Sequence, residues 1–301
     1  MKKILLIGGN GFVGKHLKQE LIGSYDVIST GREININDLD ILNKFINKIK
    51  PDAVVHLAAI SSIVDSINDP GKTYDVNFIG TLNVLNALKK INFIGRFLYI
   101  SSSQVYGSIT DNKNPISENT ILRPDNPYAV SKAAAELLCM QWFKSENFKI
   151  IIARPFNHIG PGQSENFSIS SFAYQLAKIK HGLKNPSIDI GDINVIRDFT
   201  DVRDVTTAYR LLLEKGKIGE TYNICSNSEK TIRSLLDQMI EISELNVNFK
   251  QSKLRLRAND QQKIIGNNLK LIEDVDWKCK YSIYDTLKDI INFWINKISN
   301  Q

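Results

Sequence analysis

Cysteine is scarce in this chain: Cys139, Cys225 and Cys279 are the whole complement. They are odd in number, widely separated and without C-x-x-C spacing, which excludes a disulfide framework and a zinc site built on paired cysteines, so no metal is expected. That usage fits a reducing compartment, and the cytoplasm is the expected location. Long apolar runs are missing too. The longest, such as Ile4 to Ile7 and Leu211 to Leu213, fall far short of the roughly 18 residues that cross a bilayer. Lys2-Lys3-Ile4-Leu5-Leu6-Ile7 begins like a signal peptide, but glycines break it and no small-residue cleavage site follows a sustained apolar stretch. No membrane partner is expected. Repeats, low-complexity tracts and Pro/Gly linkers are also absent, so any two lobes should pack tightly around one cleft. The formal net charge of +6 is scattered along helical surfaces rather than gathered in an arm. Its basic segments lack interleaved aromatics, so nucleic acid is not an expected partner, and anionic small substrates explain the balance equally well.

What is present is enough apolar residue for a full core, 43% of 301 residues. Strand-like runs alternate with helical patterns: Lys3 to Ile7, Gly14 to Ile22, Asp26 to Ser29, Asp38 to Ile49, Ala53 to Leu57, Tyr74 to Lys90 and Arg96 to Ile100. The alternation implies right-handed parallel βαβ units and therefore an α/β fold of Rossmann type, a doubly wound parallel sheet with ligands at the carboxyl ends of its strands. After Gly160 the alternation weakens. Phe167 to His181 and Thr231 to Ser243 read as amphipathic helices, Val247 to Lys250 as a short strand, and Leu269 to Val275 and Ile283 to Ile298 as helices covering a second core. The expectation is a cofactor domain over about 1–160 plus about 195–225, with a smaller carboxy-terminal α/β lobe over about 161–194 and 226–301 binding the substrate.

The first strand runs straight into Gly8-Gly9-Asn10-Gly11-Phe12-Val13-Gly14. In this G-x-x-G-x-x-G spacing Gly8 allows a tight turn, Gly11 lets backbone approach a pyrophosphate, and Gly14 lets the helix pack on the strand, its amino terminus facing the anion. After the second strand comes Thr30-Gly31-Arg32 where an NAD enzyme usually supplies an acid to the adenosine ribose. Arg32 suits a 2′-phosphate, so NADPH is favoured, while the adjacent Glu33 leaves NADH open.

Tyr128 and Lys132 stand one helical turn apart after Pro124 and Pro127, on one helix face. An ammonium beside a phenol favours the phenolate and is expected to lower the Tyr128 pKa toward working pH, suiting it to proton exchange with a carbonyl oxygen. Tyr284 and Lys288 repeat the spacing in the last helix, so context must separate the two: only Tyr128 follows a strand ending in Ser101-Ser102-Ser103. A hydroxyl at that strand end can hold a substrate oxygen, and Ser102 is the choice, its neighbours being open to ordinary turn bonds. His158 and His56 read as structural histidines.

With these pieces on one chain, the sequence resembles the extended short-chain dehydrogenases/reductases that act on nucleotide-sugars, over essentially its whole length. The motifs are Gly8, Gly11 and Gly14, His56-Leu57-Ala58-Ala59, Asn77 in Asp75-Val76-Asn77-Phe78-Ile79-Gly80-Thr81, the Ser102/Tyr128/Lys132 triad, the Arg197 to Val205 stretch and Tyr222-Asn223-Ile224. Arg154-Pro155-Phe156-Asn157-His158-Ile159-Gly160-Pro161-Gly162-Gln163 and Leu254-Arg255-Leu256-Arg257-Ala258-Asn259-Asp260 are most similar to the GDP-4-dehydro-6-deoxy-D-mannose reductases. The resemblance implies a cofactor set of Gly8, Gly11, Phe12, Val13, Gly14, Arg32, Asn35, Ile36, Leu57, Ala58, Ala59, Asn77, Tyr128, Lys132 and Pro155. It implies a substrate set of Ser102, Ser103, Asn157 at the diphosphate, Arg197 and Arg257 at phosphates or nucleotide, and Asp260 at a ribose. A homodimer through the helices Tyr74 to Lys90 and Tyr128 to Phe143 is implied as well, with Leu137, Leu138 and Met140 available to the interface or to the chain's own sheet.

Related 4,6-dehydratases carry an Asp-Glu pair directly after the catalytic hydroxyl, whereas this chain has Ser103-Gln104. Neither is an acid or base near neutral pH, which argues against elimination. The expected reaction is NADPH-dependent reduction of the 4-keto group of a GDP-linked 4-keto-6-deoxy sugar, giving GDP-D-rhamnose or its 4-epimer, with the hydride face left open. A nucleotide-sugar 4-epimerase is the alternative, and a non-catalytic NADP-binding regulator stands behind it.

Overall fold

The computed structural model describes residues 1–108, 115–252 and 261–300. Strands β1 (Lys3–Ile7), β2 (Asp26–Ser29), β3 (Ala53–His56), β4 (Arg96–Ile100) and β5 (Lys149–Pro155) come first. After them come β6 (Asn157–Ile159), β7 (Ser187–Ile190), β8 (Ile196–Arg197), β9 (Phe199–Asp201) and β10 (Thr221–Ile224). The described strands end with β11 (Lys230–Thr231), β12 (Asn248–Gln251) and β13 (Lys263–Ile264). Six of them form one sheet in the order β10-β5-β4-β3-β1-β2, every pair parallel. The chain leaves β1 to one side for β2 and returns to the other for β3, so the switch point lies between the carboxyl ends of β1 and β3, where such sheets bind ligands.

The sheet is covered on both faces, which is why its strands are apolar almost throughout. Side chains alternate across it with period two. Ile4, Leu6, Val55, Leu98 and Ile151 meet the helices Phe12–Leu21 and Val202–Lys215. Leu5, Ile7, Val54, Phe97, Tyr99 and Ile152 meet Leu39–Ile49, Gly80–Lys90 and Pro127–Glu146. Several helix starts are set by single side chains: Asp38, Asn126, Thr231 and Ser282 each accept a backbone N–H from three residues on. A separate core joins Ser168–Lys180, β7, Ile232–Ser243 and Ile283–Ser299 through Phe172, Leu176, Ile188, Leu236 and Trp294. No described helix is long and apolar enough to cross a membrane.

Two expectations need correction. The helix Leu269–Val275 does not cover the second core; Leu271, Val275 and the following Trp277 join the sheet-side cluster with Tyr209 and Tyr222. It is anchored there because Trp277 Nε1 donates to the Asp204 carbonyl at 2.9 Å and the Asp204 carboxylate accepts the Lys280 and Tyr281 N–H groups. Periodicity shows that a helix has an apolar face, not which core it meets. The expected single helix from Tyr74 to Lys90 is likewise interrupted: a π-helical turn, Asp75–Ile79, separates Pro70–Tyr74 from Gly80–Lys90. Such turns accompany functional sites, and this one carries Asn77.

Candidate active site

The glycine turn is built as a cradle. Gly8 has φ +82°, and a Cβ there would stand 2.5 Å from the Ala58 nitrogen, so the turn after β1 lies directly on the segment after β3. A Cβ on Gly14 would stand 2.3 Å from the Gly9 carbonyl oxygen, which sets how closely the helix Phe12–Leu21 approaches the turn. Gly11 is the open position, with only the Gly8 oxygen near its missing Cβ, at 3.4 Å. Gly11 is also the N-cap, no side chain caps the helix, and no acid occupies its first turn. Uncommitted N–H groups at a helix amino terminus without a local carboxylate fit a dinucleotide diphosphate. Leu57 and Ala58 both donate their N–H to the Ile7 carbonyl, at 2.8 and 2.9 Å, fixing the Leu57-Ala58-Ala59 stretch beside Gly8, while Phe12 and Val13 open the helix that follows the turn.

The serine, tyrosine and lysine converge at the carboxyl end of β4. Asn126 caps and Pro127 begins the helix Pro127–Glu146, so Tyr128 and Lys132 lie on its first turns, both buried. Ser102 accepts the Gln104 N–H at 3.2 Å and its side chain hydrogen-bonds Tyr128. Lys132 Nζ donates to the Ile100 carbonyl at 2.7 Å and lies 5.0 Å from the Tyr99 ring centre. Burial pushes the Lys132 ammonium down to about 8, with Glu136 opposing. Burial also pushes the Tyr128 phenol up, the Ser102 bond drawing it part of the way back. This corrects the expected lowering of Tyr128 by Lys132: the ammonium is turned onto a backbone carbonyl and desolvation dominates the phenol. Tyr284, the control pair's phenol, is on the exposed side of the last helix.

Asn77 is buried behind this group. Its amide donates to the Ile60 carbonyl and to Ser131 Oγ, and its oxygen accepts the Ile60 N–H. The side chain therefore ties the loop after β3 to the helix Pro127–Glu146. His56 Nε2 lies 3.0 Å from Thr81 Oγ1, whose own proton goes to the Asn77 carbonyl, so the ring donates. Burial then holds His56 neutral, down to about 3. His158 stacks on Phe12 at a ring-centre distance of 6.2 Å and pairs Nδ1 with the Phe156 carbonyl.

Past the carboxyl end of β2, Arg32 is exposed. Glu33 folds back, its Oε1 accepting the Gly31 N–H at 2.6 Å and the Asn10 amide at 3.3 Å. A carboxylate therefore does sit at the end of β2, and hydrogen bonds from the Gly31 and Glu33 backbone N–H groups lower its pKa from the ordinary value. Asn35 accepts the Asn37 N–H and Ile36 is buried with its carbonyl held by Asn83. Toward the second core, Pro155 ends β5, Asn157 begins β6 in register with Phe199, and Arg197 is buried on β8. Ser103 opens the 3₁₀ turn Ser103–Tyr106. Arg257 and Asp260 lie outside the described residues. Sequence reasoning missed Asn10 and Thr30, whose Oγ1 accepts the Gly8 N–H, and the Arg154–Glu136 pair behind Lys132. Thr30 had a signal in its place directly after β2; a pair made between a helix and a strand had none.

The family model for GDP-mannose 4,6 dehydratase matches residues 29–290. The GDP-6-deoxy-D-mannose reductase of Pseudomonas aeruginosa is 39% identical over 303 residues, covering 100% of this chain and 99% of that protein. The GDP-6-deoxy-D-talose 4-dehydrogenase of Aggregatibacter actinomycetemcomitans is 32% identical over 90% of each. Among solved structures, that of RMD from Pseudomonas aeruginosa complexed with NADPH superposes with a TM-score of 0.92 at 39% identity, covering 99% of this chain and 100% of that one.

Proposed function

The chain belongs to the GDP-mannose 4,6-dehydratase family of nucleotide-sugar enzymes, and we propose that within it this protein is a reductase, using NADPH to reduce the 4-keto group of a GDP-4-keto-6-deoxy sugar. The observation that carries this is the full-length similarity to a GDP-6-deoxy-D-mannose reductase. Ser103-Gln104 after Ser102 supports reduction over elimination, because no carboxylate stands there to remove a sugar proton.

Bound NADPH supplies the hydride. This chain's residues do the rest. Tyr128, its proton retained by burial, gives that proton to the oxygen of the carbonyl being reduced. Ser102, already bonded to Tyr128, holds the same oxygen in line. Lys132, fixed on the Ile100 carbonyl, supplies positive charge beside the developing alkoxide and a donor for the nicotinamide ribose. The bare helix amino terminus at Gly11 takes the cofactor diphosphate, Arg32 a 2′-phosphate, and Ser103, Asn157 and Arg197 the sugar nucleotide, with Arg257 and Asp260 completing that set. In this reading the sheet and its helices form the cofactor domain and the second core the substrate lobe. The free cysteines suit the cytoplasm. A homodimer is part of the proposal: Leu138 and Met140 pack on the chain's own sheet, while Leu137 is 69% exposed on the same helix as Val130 at 38%.

The test follows NADPH absorbance with purified protein and GDP-4-keto-6-deoxymannose made in situ, with the dTDP and UDP keto sugars in parallel. Oxidation with the GDP sugar alone is expected. No oxidation with any of the three refutes the reductase and turns attention to epimerisation.

A further inference from the structure

One turn beyond Lys132 on the same helix face lies a second ionisable group, Glu136, 2% exposed. Both of its oxygens are held by Arg154 of β5. Arg154 Nε donates to Oε1 at 2.9 Å and Oε2 at 3.2 Å, and Nη2 donates to Oε2 at 2.6 Å. The remaining Nη1 donates to the Tyr106 hydroxyl at 2.9 Å and the Glu118 carbonyl at 3.3 Å, and Tyr106 donates onward to Asn223 Oδ1 at 2.7 Å. The ion pair meets Lys132 from the sheet side as well. Arg154 follows Ala153, the register partner of Ile100, whose carbonyl holds Lys132 Nζ.

A buried ion pair is weak support for stability, since desolvation consumes most of its attraction. Its consequence for Lys132 is more specific. The groups facing the ammonium are Tyr128, Glu136 and Cys139 on its own helix, Tyr99 on β4 and His56 on β3, with Tyr209 of Val202–Lys215 behind Tyr128. Burial holds the Cys139 thiol and the Tyr99, Tyr128 and Tyr209 phenols protonated and His56 neutral. Among these groups Glu136 is the one held in an ion pair, with Arg154 as its counter-charge.

We propose that the Arg154–Glu136 pair sets the protonation of Lys132, making both members positioning residues for the active site. This deepens the reductase reading and rests on it for its catalytic meaning. Neither residue touches reacting atoms.

The experiment follows Lys132 directly, by NMR of protein carrying lysine labelled with ¹³C at Cε, its resonance assigned by its loss in Lys132→Met. The wild-type midpoint is expected at about 8. Glu136→Gln removes the facing carboxylate and should lower the midpoint by about one pH unit or more, while Arg154→Met exposes that carboxylate and should raise it by a similar amount. Arg154→Lys keeps the counter-charge and should leave the midpoint in place. The basic limb of kcat/KM for keto-sugar reduction should move with each midpoint. Structural damage alone cannot shift a midpoint in opposite directions. Unmoved midpoints, or shifts of one sign in both variants, overturn the proposal. If Arg154→Met does not fold, Glu136→Gln decides alone. A wild type that reduces no keto sugar refutes the reductase reading, and the NMR titration still decides the pair.

Discussion

Lys132→Met separates what the active site needs from what the fold prefers. The Lys132 side chain is buried, and its ammonium ionises at about 8 in the folded protein against 10.5 when solvated. At about 1.4 kcal/mol per pH unit, that gap makes the buried charge cost the fold about 3 kcal/mol at neutral pH. The sign follows from proton counting. Between about 8 and 10.5 the unfolded chain binds the proton that the folded one has released, so stability rises with pH across that window; below it the cost is fully present. Methionine fills similar volume without charge but leaves the Ile100 carbonyl without its donor, a loss of about 1–3 kcal/mol that does not vary with pH. The pH dependence of the difference therefore isolates the charge. Chemical denaturation of both proteins at pH 7 and pH 10 should show the wild type gaining about 2–3 kcal/mol on the variant. Keto-sugar reduction by the variant should fall by about 10²–10⁴-fold. A stability difference that stays constant between the two pH values would refute the reasoning, because it would mean that Lys132 ionises as freely in the fold as in water.

Other perturbations follow from the same geometry. His56 is neutral in the fold down to about 3 but takes a proton near 6.5 when unfolded, so stability should fall as pH drops below 6.5, by about 3 kcal/mol at pH 4; His56→Leu should lose that slope in acid denaturation. Gly14→Ala places a methyl 2.3 Å from the Gly9 oxygen and 2.4 Å from its Cα, so the helix must leave the turn. A stability loss of about 1–3 kcal/mol, with weaker NADPH binding by fluorescence titration, is the expected outcome. Removing the carboxylate at the end of β2 with Glu33→Ala should raise the kcat/KM ratio of NADPH to NADH. Arg32→Ala should lower that ratio by about tenfold or more, and an unchanged ratio in both variants would show that neither residue reads the 2′-phosphate.

The glycine turn, the parallel sheet and the Ser102, Tyr128 and Lys132 set were legible in the chain because each is encoded locally. Gly8 needs a positive φ, Asn126-Pro127 starts a helix where it stands, and alternation of strands with amphipathic helices has one handedness to obey. Residues four apart on a helix share a face whatever that helix packs against. What remained closed to sequence reading depended on partners distant in the chain. Leu269–Val275 is apolar on one face in either core, and only the Asp204 contacts place it on the sheet. Glu33 could equally have pointed to solvent; its return to Gly31 and Asn10 comes from the turn that brings those groups together.

Local order, then, was the sequence's to determine: where strands and helices alternate from Lys3 to Ile100, which turn is built of glycines, and which hydroxyl, phenol and amine meet at the end of β4. The protonation of those groups was not. Lys132 and Tyr128 take their charge states from desolvation and from neighbours, and Arg154 meets Glu136 across 18 positions only because β5 lies under the helix Pro127–Glu146. Spacing along a chain carries geometry over one or two turns, whereas the electric environment of a buried group is a sum over everything the fold has brought near it.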